Sequence, residues 1–212
     1  IFKLKSIHTD DKTFFILLIF SFILFSIVII SNLNLGWDAK YFYYIKSLFF
    51  VEELNLSDLN SFEHNKWHPH LGSYIWAFFW KLPFFNIEYY GRLFYLFIFF
   101  FSLLYVVFSS LNNNYIKTIF FLIITIITFN YERFSGLQEI LIFSLLLIAS
   151  HKLFTLNFKT RLIDILTIFL ILNLIIWIKS EGIVYVFILI SMLLINKNLN
   201  LKERIFIIIG AL

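Results

Sequence analysis

Apolar residues fall in long blocks along this chain, and the breaks between blocks are short. Phe14 to Ile30 is uncharged throughout, and Leu93 to Leu111 repeats the pattern. Leu137 to Leu153 and Leu162 to Ile178 are apolar over a similar length, with Asp164 near one end of the second. Tyr115 to Tyr131 carries Lys117 in its first turn, Ile183 to Ile195 is short without its flanks, and another run opens at Ile205. A helix needs about 20 residues to cross the hydrocarbon of a bilayer, with a working range of about 17 to 25. The pattern therefore predicts an all-α, polytopic transmembrane bundle of about six to seven spans, forming one transmembrane domain over residues 1–212.

One block resists this reading. WHPHLGSYIWAFFWK, residues 67–81, is apolar but short and bracketed by His68, His70 and Lys81. Lys and Arg in short loops decide its placement, because they collect on the cytoplasmic side. If the stretch does not span, Lys3, Lys5, Lys12, Lys117, Lys152, Lys159, Arg161, Lys197, Lys202 and Arg204 share one face. If it spans, the last seven of these move opposite the basic N-terminus. The first arrangement makes residues 31–92 a long outer loop with two surface helices, about 39–50 and 69–82. In the first, Tyr41, Phe42, Ile45, Leu48 and Phe49 fall on one face, and Lys40, Tyr43, Tyr44 and Ser47 on the other. In the second, Trp67, Trp76 and Trp80 suit the headgroup level, and Pro69 suits a first helical position.

Composition agrees with a membrane setting. Of 212 residues, 61% are hydrophobic and 14% charged, against about 25% charged in soluble domains. The sequence contains no Cys, so disulfides and thiolate metal sites are excluded. No Gly-rich phosphate loop, G-x-S-x-G elbow or H-E-x-x-H motif occurs. The span interiors are almost free of acids and of Gly or Pro breaks, which argues against a channel or carrier. The sequence opens on Ile1 and closes inside an apolar run, so it reads as part of a larger membrane protein, truncated at both ends. The first apolar run reads as an anchor and not a removable signal.

With the topology set by Lys and Arg, nine of the thirteen acids fall on the outer side: Asp38, Glu52, Glu53, Asp58, Glu63, Glu88, Glu132, Glu139 and Glu181. Asp38 follows the first span in GWDAK. Arg133 and Glu139 occupy YERFSGLQE, and Lys179 and Glu181 occupy WIKSEG. These helix ends can form a cleft, with Lys66, His68 and His70 on its rim. Each has a plainer reading. Glu139 fits a first-turn acid beside a Ser135–Gln138 capping box, and Lys179 and Glu181 fit a helix end in water. The two histidines flanking Pro69 lack the i, i+4 spacing of a helical zinc site. At a helix N-terminus they suit phosphate instead.

The order WDAKYFYY, HPHLGSYIWAFFWKL, EYYGRLFYLF and YERFSGLQEILIFSLLLIA resembles the polyprenol-dependent membrane glycosyltransferases of the GT-C superfamily, especially relatives of protein mannosyltransferases and aminoarabinose transferases. The resemblance covers the chain from the first span to WIKSEG. It implies transfer of a sugar from a polyprenyl-phosphate carrier to a lipid, glycan or protein acceptor on the outer face, in cell-envelope assembly, with no nucleic acid involved. Asp38 matches the catalytic acid. Lys66, His68, His70, Arg133, Glu139, Lys179 and Glu181 are the candidates for binding substrate and phosphate. A multi-pass protein of the bacterial inner membrane with a cytoplasmic N-terminus is implied, and the fragment alone is expected to be inactive. Two positions depart from the family pattern: Ala39 replaces an acid after Asp38, and His70 replaces a second Pro. No metal ligands are assigned, although a divalent cation stays open. The rival reading is a non-catalytic subunit of polysaccharide assembly or transport.

Overall fold

A computed structural model describes residues 9–32, 34–53, 58, 69–82, 86–111, 113–156, 161–195 and 199–211. Lys66, Trp67 and His68 lie outside these. The described residues are helical and contain no strand. The order is α1 (Thr9–Ser31), a π-helical turn (Ala39–Tyr43) running into α2 (Tyr44–Val51), α3 (Leu71–Trp80), α4 (Tyr89–Ser110), α5 (Asn114–Thr128), a 3-10 turn (Tyr131–Phe134), α6 (Glu139–Phe154), α7 (Arg161–Ile178), α8 (Gly182–Ile195) and α9 (Leu201–Ala211).

Local chemistry sets several boundaries. Asn113 caps α5, its Oδ1 accepting from the amides of Tyr115 (2.9 Å) and Ile116 (3.3 Å). At the other end Phe129 turns extended, with ψ at 108°, so the helix stops short of the hydropathy run, which continues to Tyr131. The turn between α7 and α8 is tight because Gly182 has no side chain. A Cβ there would lie 2.3 Å from the Ile175 carbonyl oxygen.

α4 is the central helix and packs against α1, α3, α5 and α6. Tyr95, Leu96, Phe99, Phe100, Leu103 and Val107 carry its buried stripe. Much of the remaining core is aromatic. Phe14 meets Phe108 and Phe121 edge-on, and Phe25 stacks on Phe129 with centroids 4.0 Å apart. Successive long helices alternate in direction, so one end of the bundle gathers residues near 38, 92, 139 and 179. The other gathers residues near 110, 151 and 164.

The outward faces are strongly apolar. Ile16, Ile19, Phe20, Ile23 and Ile27 on α1 are all at least half exposed, as are Ile123, Ile126 and Ile127 on α5. Patches this continuous mark contact with lipid or another protein. Two helices, over Phe14–Ser31 and Tyr89–Ser110, are long and apolar enough to cross a membrane. Tyr115–Thr128, Leu162–Ile178 and Gly182–Ile195 are apolar but shorter. The hydropathy runs thus count more spans than there are helices of full length.

Of the stretch over residues 67–81, residues 69–81 are described. α3 has ten residues, about 15 Å of helix, half of the ~30 Å hydrocarbon thickness. It does not lie loosely on a surface. Trp76 is fully buried, wedged between Gly91 and Gly136, and its Nε1 donates to the Glu88 carbonyl at 3.3 Å. Gly136 also has φ of +91°, a backbone conformation open to glycine alone at little cost. Trp80 stacks on Tyr44. These two tryptophans therefore hold helices together, where the sequence pattern had them at headgroup level. α2 is turned likewise. Tyr43 and Ser47, from the polar side, are buried together with Ala39 and Lys46, while Tyr41 is exposed. Ser47 Oγ donates to the carbonyls of Tyr43 (2.8 Å) and Ser73 (3.1 Å).

Candidate functional site

Lys179 is the centre of the polar end of the bundle. It occupies the turn between α7 and α8 and is only 7% exposed. Its Nζ lies 2.5 Å from Glu139 Oε1, 3.7 Å from Glu181 Oε1 and 4.0 Å from Asp38 Oδ2. The Tyr43 ring lies beneath it, with the centroid 6.0 Å away. One buried ammonium is thus shared by three half-exposed carboxylates from three separate segments.

The backbone explains how these groups meet. The close approach at Gly182 brings Glu181 and Lys179 over the end of α7, and the Gly182 amide donates to the Lys179 carbonyl at 2.9 Å. Asp38 comes from the start of the π turn, where the Tyr44 amide closes on the Ala39 carbonyl. This wider i to i+5 turn puts residues five apart on one face. Asp38 and Tyr43 are five apart, and both reach Lys179. The Gly36 amide donates to the Ser135 carbonyl at 3.0 Å, tying this segment to the one before α6.

Electrostatics follow the geometry. Burial alone would lower the pKa of Lys179. The hydrogen bond from Lys179 to Glu139, with the Tyr43 phenolate at high pH and the charges of Glu139 and Glu181, more than offsets it and holds the ammonium above the ordinary lysine value. Tyr43 is pushed up to about 12, by burial first and by the surrounding carboxylates next, against the lowering effect of Lys179. Both groups therefore keep their protons at neutral pH.

A cavity of about 650 Å³ opens beside this cluster. Arg133, Glu139, Lys179 and Glu181 line its charged part. Below them the wall is apolar, built by Ile140, Phe143 and Leu146 of α6 with Tyr185 of α8. Asp38 does not line it but approaches the same lysine. Arg133 is exposed and spends one N–H on the Thr128 carbonyl, at 3.0 Å.

The structure therefore brings together Asp38, Arg133, Glu139, Lys179 and Glu181. His70 is not among the residues lining the cavity. It is the residue before α3, half-buried, edge-on to Phe50 at 6.3 Å. Burial and then the charge of Lys46 lower its pKa, so it is a neutral imidazole at pH 7 and adds no positive charge for a phosphate. The helix begins at Glu139, so Gln138 stands at its cap position and not inside a first turn opened by Ser135; it makes no side-chain cap bond and its side chain is buried. Tyr43 and Gln138 were not legible as site neighbours. Tyr43 sits on the polar face of α2, and that face turning inward is the signal that finds it.

Among the described residues, no cluster of three His, Asp or Glu side chains could hold a metal ion. The carboxylates of the site converge on an ammonium, which already supplies the positive charge there. The residues present do not fit a divalent cation. No protein-family model, curated protein or solved structure matches the chain.

Proposed function

We propose that this chain is part of a polytopic membrane glycosyltransferase. It moves a sugar from a polyprenyl-phosphate carrier to an acceptor on the outer face of the bacterial inner membrane. The observation that carries the reading is the convergence of Asp38, Glu139 and Glu181 on Lys179, beside a cavity that is charged at its rim and apolar along its wall. That division suits a substrate with a polar head and a hydrocarbon tail. The GT-C-like order of motifs supplies the reaction class.

In this reading Asp38 takes the proton of an acceptor hydroxyl as its oxygen attacks the anomeric carbon. The bond from that carbon to the phosphate oxygen breaks, and polyprenyl phosphate departs with the electron pair. Arg133, which keeps further N–H donors after bonding Thr128, and Lys179 hold the departing charge. Glu139 and Glu181 orient Lys179 and offer acceptors to sugar hydroxyls. The helices run as six to seven spans, the shorter ones completed by their flanks, with the N-terminus cytoplasmic and Lys179 outside.

The test uses the full-length protein in membrane vesicles, with radiolabelled hexose or aminopentose on undecaprenyl phosphate as donor. Asp38→Asn should reduce transfer at least a hundredfold while the protein still inserts. Transfer at the wild-type rate would sink the assignment. In intact cells, a cysteine at the exposed Ser180 should react with an impermeant maleimide and one at the exposed Tyr115 should not. The opposite result reverses the orientation.

A further inference from the structure

Gln138 stands where three helices end or begin. It is the residue before α6, so Glu139 is its neighbour in the chain. Its side chain is fully buried. With the amide oriented to satisfy both of its ends, Nε2 donates to the Ile178 carbonyl at 2.6 Å. Oε1 accepts from the Ser73 amide at 3.1 Å and from Ser73 Oγ at 3.3 Å. Ile178 is the last residue of α7, and Lys179 follows it. Ser73 is the third residue of α3.

The two backbone groups it serves are those a helix cannot satisfy itself. The last carbonyls of a helix and its first amides have no partner within it. Buried, each must find one elsewhere. Gln138 meets one of each kind with a single planar group. A methionine would fill nearly the same volume but leave both without this partner, so packing alone does not call for an amide here. The consequence reaches the site through the chain. One bond fixes the carbonyl immediately before Lys179, and the side chain that makes it is attached to the residue immediately before Glu139.

We propose that Gln138 is the positioning residue of the Lys179–Glu139 pair: its amide locks the end of α7 against the start of α6 and α3, and so holds the lysine on its carboxylate. It touches no substrate. This rests on reading that pair as the centre of the site, but the test needs no turnover.

The experiment is reductive methylation of the full-length protein in membrane vesicles with formaldehyde and cyanoborohydride, quantified by mass spectrometry at Lys179 and Lys152. Lys152 is paired with Asp164 at the far end of the bundle and reports general loosening. Gln138→Met should raise the Lys179 rate about tenfold, the effect of leaving one buried hydrogen-bonding group unmet, while the Lys152 rate stays within about twofold. Ser73→Ala keeps the Ser73 amide and loses only the longer hydroxyl contact. It should give a smaller rise at Lys179 alone and serves if Gln138→Met does not accumulate. Equal rises at both lysines, or no rise at Lys179, overturn the proposal. A selective rise in a protein that transfers no sugar would keep Gln138's role and remove the reaction.

Discussion

The two ends of the bundle each hold a lysine 2.5 Å from a carboxylate, and the pairs do different things. At the far end Lys152 meets Asp164, which is nearly buried. Its neighbours are His151, whose Nε2 lies 3.0 Å from Ser109 Oγ and 3.1 Å from Ser110 Oγ, and the Tyr105 ring under Lys152. That arrangement pins α4, α6 and α7 to one another. At the near end the lysine is the buried member, and three carboxylates from separate segments face it with 40 to 58% of their side chains exposed. Glu139, Glu181 and Lys179 also line the cavity, so the near end presents its charged groups to whatever enters there. Pairing by itself marks structure, and a charged cluster that lines a cavity marks a site.

The largest effect expected is on transfer. Lys179→Met in the full-length protein should cut sugar transfer at least a hundredfold, while Lys152→Met stays within about threefold in the same vesicle assay once corrected for the amount of folded protein. Equal losses would erase the distinction between the ends. Stability should reverse the order of the two lysines. Lys152→Met leaves the Asp164 carboxylate buried without its lysine and should cost about 3 kcal/mol, read as a lowered melting point in detergent. Adding Asp164→Leu should recover most of it.

A smaller effect separates two lysines within the near end. Burial lowers Lys46 to about 8, from the ordinary 10.5. Between those values the unfolded chain holds a proton that the folded chain has released, so stability rises with pH across the window. Lys46→Met should flatten that rise. Lys179, held above its ordinary value, acts in the opposite sense: its contribution is complete below the unfolded value and fades only as pH climbs through the folded one. A melting curve that still steepens from pH 8 to 10 in Lys46→Met would assign the rise to another group. The smallest effect belongs to Ser109→Ala. His151 keeps Ser110 as a partner, and the melting point should move by no more than about 0.5 kcal/mol equivalent.

Much of this arrangement was legible in the residues. Basic loops fixed which helix ends share a side, and alternation then carried Asp38, Glu139 and Lys179 to one end. The helix over Ala39–Val51 was legible from its spacing. Which of its faces turns inward was not, because periodicity separates two faces without naming what each one meets. The inward face is the one whose polar groups find protein partners, as Ser47 does with the carbonyls of Tyr43 and Ser73. Span lengths were also beyond hydropathy, since Asn113 and the extended Phe129 end α5 for reasons of backbone geometry. Gln138 read as a cap because its neighbours in sequence, Ser135 and Glu139, suit one. Its true partners, Ser73 and Ile178, are 65 and 40 positions away.

Trp76 has a consequence for how this protein can change over generations. A methyl group added at position 91 would sit 2.1 Å from the indole, and one at position 136 would sit 2.3 Å from its far edge. Neither glycine can be enlarged while the tryptophan stays. The tryptophan cannot shrink without leaving a hollow between both. The three positions form an epistatic set: a substitution at one is tolerated only after compensation at another, so descendants of this chain should alter them jointly or leave them alone.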